Sequence, residues 1–323
     1  MMEALQVNPE VENVAVSLLG NGDLQIRKIA TGRDSTSYKI ESANGDYVLR
    51  TAGSRGNYDV EHYILRLLKE KGIKVPVPVA ESVDFLKYPF AFSLEEKLPG
   101  VSLAEAEKEN WPQVIKEVGE QMAIVYDLKF PGFGSIDAKY FRKTGQIQGS
   151  KSLWSDYLLQ SYDRRTDRVR KKFKADQKAG FIGSRLSNEQ KEKLTIVVNN
   201  IDRVRDEILS ARQTLDIKQG RLIHGDISAM HILVVKNKLS GILDFNDAKI
   251  GDPLYDIAIF SVGTKGDYYK DLMSGAALRF DENRFHLYRL MTSIWKLDIR
   301  YVRQNYLHQN PRILDTALEE IRQ

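Results

Sequence analysis

The sequence predicts an α+β fold of two lobes, with a small lobe built on an antiparallel sheet and a larger lobe that is mainly helical. Within the first 96 residues, short β-type runs flank a single helical pattern, and turn residues separate them. Beyond Gly100, apolar residues recur every three or four positions, which is the period of a helix. Because a chain of 323 residues is also long enough for two domains, we expect one lobe over residues 1–96 and the other over residues 97–323.

The first three strands are predicted over residues 24–30, 36–40 and 46–50. Gly32 and the pair Asn44-Gly45 separate these runs. Since Asn and Gly both tolerate a positive φ, the pair predicts a tight hairpin between the second and third strands.

A helix, an extended segment and a further strand complete the predicted first lobe. Residues 60–68 carry apolar side chains at helical spacing, and Gly72 stands where a C-terminal cap is expected. Residues 75–79 alternate Val and Pro, and each proline disfavours the helical conformation of the residue before it. Residues 90–96 then predict a strand.

Helices dominate the predicted second lobe. Pro112 occupies a first helical position, and the apolar face of that helix extends to Val125. Ser187 and Gln190 have the form of a capping box in front of an apolar series that runs to Ile208. The stretch 284–322 also has a helical pattern.

The composition excludes several classes of protein. With no cysteine, the chain forms no disulfide, zinc-thiolate site or cysteine nucleophile. Hydrophobic residues make up 42% and charged residues 28%, as in ordinary soluble domains. No apolar run approaches the roughly 20 residues of a membrane-spanning helix, and the first residues do not form a signal peptide. We expect a soluble cytoplasmic protein without a membrane partner, and the sequence leaves its oligomeric state open.

Positive charge is concentrated in one segment. The net charge is +4, but residues 163–178 alone contain eight Lys or Arg against three Asp. Such a run is usually a solvated helix face, and it has few aromatic residues for base stacking, so we expect no nucleic-acid partner.

The stretch 222–247 carries the candidate chemistry. Two apolar runs, residues 231–235 and 241–245, flank a polar turn and predict a hairpin. If the hairpin is centred between Asn237 and Lys238, His231 faces Asp244 with Cβ atoms about 5 Å apart. Asp226 lies on the loop before it.

This constellation fits phosphoryl transfer. One carboxylate, Asp226, would orient and deprotonate a hydroxyl, while His231 and Asp244 would hold the Mg²⁺ that neutralises phosphate charge. The alternative for His231 is a histidine packed at the end of a strand.

The same residues resemble a known family. The motifs His224-Gly-Asp226, Asp244-Phe245 and Gly251-Asp-Pro-x-x-Asp256 are similar to the signature of the aminoglycoside phosphotransferase/choline kinase-like family, over roughly residues 20–300. The resemblance implies a bilobal protein-kinase-like fold, with Asp226 as catalytic base and Asp244 as principal magnesium ligand. His231 departs from the usual Asn of the family, as in macrolide kinases and certain aminoglycoside 2″-kinases, several of which use GTP. A nitrogen ligand for magnesium is unusual.

The resemblance also implies a nucleotide site. Residues 32–37, which include Ser35, resemble a phosphate-binding loop, and Arg50 stands where protein kinases have a lysine on the third strand, with Glu61 as its candidate partner. The alternative is that Arg50 and Glu61 are solvated side chains on the surface with no role in nucleotide binding. Residues 94–100 resemble the hinge, where the carbonyl of Glu96 and the N–H of Leu98 would contact the purine.

Two features bear on the acceptor. Residues 130–134 and 154–157 are similar to a pattern in several small-molecule kinases, and Tyr288, Trp295 and Asp298 lie where relatives build the acceptor pocket. For any single aromatic residue in these segments we favour core packing over an acceptor contact, and no substrate-binding residue is assigned.

We therefore predict an enzyme that uses Mg²⁺ and transfers the γ-phosphate of ATP or GTP to a hydroxyl of a small molecule, with an aminoglycoside-type antibiotic as the leading acceptor. A macrolide or a metabolite such as a sugar or amino alcohol remains an alternative acceptor. The competing class is a nucleotide-binding pseudokinase.

Overall fold

The computed structural model describes residues 8–20, 22–31, 35–53, 56–264, 266–309 and 312–322 of the chain. It contains two compact units, each discontinuous in sequence. The first comprises Met1–Asn110 and Met230–Asn246, and the second Trp111–Ala229 and Asp247–Gln323. The lobe boundary after residue 96 stays a prediction.

The strands are β1 Gln25–Thr31, β2 Thr36–Ser42, β3 Gly45–Ala52, β4 Pro78–Ser82, β5 Ala91–Glu96, β6 Val101–Ser102, β7 Phe133–Ile136, β8 Gly149–Lys151, β9 Arg221–Ile223, β10 Ile232–Val235, β11 Lys238–Ile242 and β12 Lys249–Gly251. The helices are α1 Pro9–Leu19, α2 Tyr58–Glu70, α3 Trp111–Tyr126, α4 Ala138–Thr144, α5 Trp154–Lys178, α6 Asn188–Asn199, α7 Ile201–Ser210, α8 Arg212–Leu215, α9 Pro253–Gly263, α10 Tyr269–Gly275, α11 Glu282–Leu297 and α12 Arg312–Arg322. Within the described residues, no helix combines the length and the apolar character needed to cross a membrane.

The first unit is built on a five-stranded antiparallel sheet with the order β1-β2-β3-β5-β4. Its core is formed by fully buried side chains of the central strands, among them Ile40, Leu49 and Leu94. Helix α1 covers this core with Val11 and Ala15. The predicted strands and α2 are present, whereas α1 was not predicted, although its buried residues recur at helical spacing.

The predicted tight hairpin joins β2 and β3, but its loop lies one residue earlier than expected. Ser42 pairs with Gly45, so Ala43 and Asn44 form the loop. Gly45 has a φ of 134° and takes the positive-φ position.

A second hairpin, β10–β11, pairs through β10 with β6. Its two-residue loop is Lys236-Asn237, with φ values of 48° and 61°, as in the type I′ turn whose twist matches the strands. Ile232 pairs with Ile242, and the N–H of Leu243 donates to the carbonyl of His231 at 2.8 Å. The predicted register, with His231 opposite Asp244, is therefore wrong by one residue, because the loop is shorter than expected and a bulge follows it.

The second unit combines a small antiparallel sheet, ordered β8-β7-β12-β9, with helices α3 to α12. Helix α9 is buried from Pro253 to Val262, so it forms the centre of this unit. Helices α3 and α10 approach so closely at Gly119 that an added Cβ would lie 2.3 Å from the carbonyl oxygen of Leu272. The antiparallel sheets and the predominance of helices in this unit confirm the predicted α+β class.

The predicted helix starts are accurate, but one long helix is interrupted. The capping box is present: Ser187 Oγ accepts from the Gln190 N–H at 3.2 Å, and Gln190 Oε1 accepts from the Ser187 N–H at 2.9 Å. The apolar series that follows is divided at Asn200 into α6 and α7. Near the C-terminus, α11 ends in a π-helical turn, Asp298–Arg303.

Candidate active site

In the second unit, the loop after β9 is anchored by Asp256 of α9. The carboxylate of Asp256 accepts from the backbone N–H of His224 at 2.7 Å and of Gly225 at 2.8 Å, and from the hydroxyl of Tyr126 at 3.2 Å. Its side chain is completely buried, and burial raises the pKa of Asp256 to about 6, against the opposing effect of the two backbone hydrogen bonds. These bonds fix the backbone immediately before Asp226.

Gly225 is required by this arrangement. Its φ is 79°, and an added Cβ would lie 2.1 Å from the carbonyl oxygen of Asp247. The same narrow space holds the Lys249 Nζ, which donates to the carbonyl oxygens of Gly225 at 3.2 Å and Asp247 at 2.5 Å. A side chain at position 225 would therefore displace both the loop and Lys249.

Asp226 has a cationic partner on α11. Lys296 Nζ donates to Asp226 Oδ1 at 2.8 Å, with side chains 17% and 26% exposed. The Lys296 Nζ also lies 4.5 Å from the centre of the Trp295 ring. The sequence pattern pointed to Trp295 and Asp298 but not to Lys296, although a lysine between apolar positions of a predicted helix could have indicated it.

The aromatic residues predicted near the acceptor are largely core residues. Trp154 is completely buried, and its Nε1–H donates to the Tyr288 hydroxyl at 2.8 Å. Tyr288 in turn donates to Asp252 Oδ2 at 3.0 Å. Asp298 is also completely buried, with three arginines around its carboxylate, Arg165, Arg168 and Arg303. Core packing therefore accounts for Trp154 and Tyr288.

In the first unit, His231 and Asp244 come together despite the register error. His231 ends a short 3₁₀ turn before β10, and its Nε2 lies 3.7 Å from Asp244 Oδ2. Asp244 follows β11 with a φ of 65°, a left-handed conformation that is costly for a non-glycine residue. Its side chain is 44% exposed, so its carboxylate is accessible to solvent.

Arg50 is surrounded by three carboxylates of the first unit. Its guanidinium lies 2.7 Å from Glu61, 2.6 Å from Glu95 and 3.4 Å from Asp244. Burial raises the pKa of Glu61 to about 8, with Arg50 opposing the shift and the Glu95 charge adding to it. The structure thus brings Arg50 together with its predicted partner Glu61, and adds Glu95, which lies in the predicted hinge segment but was not predicted to contact Arg50.

His62 extends this cluster. Its side chain is completely buried, its Nε2 is 2.8 Å from Ser93 Oγ, and Ser93 Oγ donates to Glu95 at 2.6 Å. Burial lowers the pKa of His62 to about 4. The folded protein therefore holds His62 as a neutral ring.

This pKa predicts a loss of stability in acid. Between the folded pKa of about 4 and the unfolded value near 6.5, the unfolded chain binds a proton that the folded protein does not. We expect the His62 contribution to lower the free energy of unfolding by about 2 kcal/mol between pH 7 and pH 4.5. Urea unfolding at both pH values should show a smaller difference in His62→Gln than in the parent. An equal difference in both proteins would contradict the assignment.

The other predicted nucleotide residues also lie in the first unit, before β2, at the end of β5 and against β11. Ser35 is half-buried and precedes β2, while residues 32–34 of the predicted phosphate loop lie outside the described residues. Glu96 ends β5, and its N–H donates to Val77 at 2.9 Å. Leu98 packs against Gly241, where an added Cβ would lie 2.3 Å from Leu98 Cδ1. Among the described residues, no group of three or more His, Asp or Glu side chains is arranged to hold a metal ion.

Comparisons with known proteins identify the family of the chain. A sequence model of the phosphotransferase enzyme family matches residues 25–293. Hygromycin-B 4-O-kinase of Escherichia coli is 19% identical over 237 residues, which are 72% of this chain and 60% of that kinase. The chain thus spans less than two thirds of the curated relative that it matches.

Solved structures share the fold. The crystal structure of aminoglycoside phosphotransferase APH(4)-Ia superposes with a TM-score of 0.71 at 14% identity, covering 97% of this chain and 98% of that one. The gentamicin complex of APH(2″)-IIa gives a TM-score of 0.59 at 15% identity, covering 99% and 97%. The predicted protein-kinase-like fold and the predicted family are therefore confirmed. Because the family model matches most of the chain, including the loop that presents Asp226, the protein belongs to the phosphotransferase enzyme family.

Proposed function

We propose that the protein transfers the γ-phosphate of ATP or GTP to a hydroxyl of a small molecule, with Asp226 as the base. The observation that carries the proposal is the Asp226 loop, whose preceding N–H groups are tied to the buried carboxylate of Asp256. A base in phosphoryl transfer must orient the attacking hydroxyl and accept its proton, so its backbone has to be fixed. Family membership and the named kinases among the similar structures support this reaction class.

His231 and Asp244 are the proposed ligands of Mg²⁺. The residues present fit the ion in part: Asp244 offers an accessible carboxylate, and Glu95 adds a second carboxylate beside the Arg50 guanidinium. Magnesium often binds one or two carboxylates and takes its other ligands from substrate phosphates and water. When bound, it would neutralise charge on the phosphates. The imidazole of His231 is a softer ligand than the usual oxygen.

Arg50, Ser35, Glu96 and Leu98 are the proposed nucleotide contacts. Arg50 would bind phosphate oxygens, a task for which a guanidinium is well suited. Ser35 would contact phosphate, whereas the Glu96 carbonyl and the Leu98 N–H would contact the purine edge. Glu61 and Glu95 hold the Arg50 side chain in place.

Arg50→Ala is expected to weaken the binding of ATP more than that of adenosine. Of the proposed nucleotide contacts, the variant loses only those to phosphate, so the affinity for ATP should fall by at least about tenfold, or about 1.4 kcal/mol. Calorimetric titration with both ligands checks this. Equal losses for the two ligands would indicate a folding defect instead. Lys39→Ala, which removes an ion-paired cation elsewhere on the same sheet, is the control.

An aminoglycoside is the acceptor that the relatives favour. Similar structures contain hygromycin B or gentamicin, and the curated relative is a hygromycin kinase.

Nucleotide turnover by the purified protein tests the proposal. ATP and GTP would each be offered with Mg²⁺ and a panel of aminoglycosides, macrolides, sugars and amino alcohols. The expected result is acceptor-dependent release of nucleoside diphosphate together with a phosphorylated product. Nucleotide binding without turnover across the panel would instead favour the pseudokinase. Since the donors are cytoplasmic metabolites, we also propose a cytoplasmic location.

A further inference from the structure

Lys296 is fixed on two sides at the candidate catalytic loop. Its Nζ donates to Asp226 Oδ1 at 2.8 Å and lies 4.5 Å from the Trp295 ring centre. The ring itself is buried, with 6% of its residue surface exposed. An ammonium held by both a carboxylate and an aromatic face loses much of its rotational freedom.

The Lys296 ammonium is not needed to neutralise another carboxylate of the same helix. The buried carboxylate next along the chain, Asp298, already has Arg165, Arg168 and Arg303 around it. Lys249, the other lysine near the loop, donates to the backbone carbonyls of Gly225 and Asp247. Lys296, in contrast, forms its ion pair with the Asp226 carboxylate itself.

An ammonium in this position orients the carboxylate. Hydrogen bonding to Oδ1 restricts rotation of the carboxylate plane, so the oxygens are presented in one orientation. The opposite charges of the two groups strengthen that hydrogen bond. Orientation matters because misplacing a catalytic group by about 1 Å can cost about a hundredfold in rate.

We propose that Lys296 is a positioning residue, which acts through Asp226 by holding the carboxylate in the correct orientation for the acceptor hydroxyl. This role rests on the proposed function of Asp226 as the base. Helix α11 would thus contribute to the catalytic site, although no sequence motif marks it. Its Lys296 lies 70 residues after Asp226.

The first test is kinetic. Lys296→Ala is expected to lower kcat by about 10- to 100-fold while the KM for the nucleotide stays within about threefold. Lys296→Arg, which keeps a cation that can bind a carboxylate, should retain most of the activity. Adding ethylammonium should raise the kcat of Lys296→Ala in a saturable manner. Lys171→Ala, which removes a lysine that is 75% exposed and paired with Asp167, is the matched control and should behave like the parent.

The second test needs no turnover. Competitive labelling with acetic anhydride, read by mass spectrometry, reports how strongly Asp226 holds the Lys296 amine. In Asp226→Asn the labelling of Lys296 should increase relative to the parent, whereas that of Lys171 should not change. If the parent turned over no nucleotide, the proposed function would fail, and the labelling alone would still decide whether the two side chains are coupled.

Specific results would overturn the proposal. Unchanged kcat in Lys296→Ala would show that Lys296 does not position the base. If kcat fell equally in Lys296→Ala and Lys296→Arg, and ethylammonium did not restore it, Lys296 would have a structural role only. Equal labelling of Lys296 in the parent and in Asp226→Asn would show that the ion pair does not control the amine.

Discussion

Asp226→Asn is expected to lower kcat by at least about a thousandfold while nucleotide binding remains close to that of the parent. Asn preserves the shape of the side chain, but its amide cannot accept the proton of an acceptor hydroxyl. The backbone bonds from His224 and Gly225 to Asp256 do not involve the Asp226 side chain, so the loop should remain in place. Nucleotide turnover and calorimetric titration of the same preparation measure the two quantities separately.

Asp127→Asn provides the control for this change. Asp127 also belongs to the second unit, its side chain is 84% exposed, and its only described ion pair is with Arg221 at 3.5 Å. It should turn over the acceptor like the parent. Turnover by Asp226→Asn within about tenfold of the parent would refute the assignment of Asp226 as the base.

Asp244→Ala should remove the magnesium dependence of nucleotide binding. The variant loses the anionic ligand proposed for the ion, so the affinity for ATP in the presence of Mg²⁺ should fall by at least about tenfold. Without Mg²⁺, the affinities of variant and parent should be similar. Titration of ATP with and without the ion distinguishes these outcomes.

The first unit offers a closely matched control for Asp244. Asp46 has the same side-chain exposure of 44% and is likewise paired with a cation, Lys39, at 2.8 Å. Asp46→Ala should therefore leave magnesium-dependent binding unchanged. If Asp244→Ala retained the full magnesium effect, another residue would hold the metal.

Local patterns predicted the elements of the fold well. Helix α3 begins at Trp111, one residue before the predicted start at Pro112, and the capping box of Ser187 and Gln190 forms as expected. These features depend on residues within a few positions of one another, so the sequence contains all the information needed. The division between α6 and α7 at Asn200 was missed because the apolar period continues through it.

The hairpin register shows where local reasoning fails. Its prediction depended on the centre of the loop, and an error of one residue there shifts every pair. His231 and Asp244 still lie within 3.7 Å because both residues flank the open end of the hairpin. A register error of one residue therefore leaves the two side chains close together, although they are no longer directly opposite each other.

By itself, the sequence determined the fold class, the family and the positions of Asp226, His231 and Asp244 within their motifs, because each depends on nearby residues or on a short ordered pattern. Only the tertiary structure decided which distant side chains join them. Glu95 reaches Arg50 across neighbouring strands, and Lys296 reaches Asp226 from a helix 70 residues away. Such pairs are formed by the packing of elements, and no spacing along the chain encodes the distance between their charged groups.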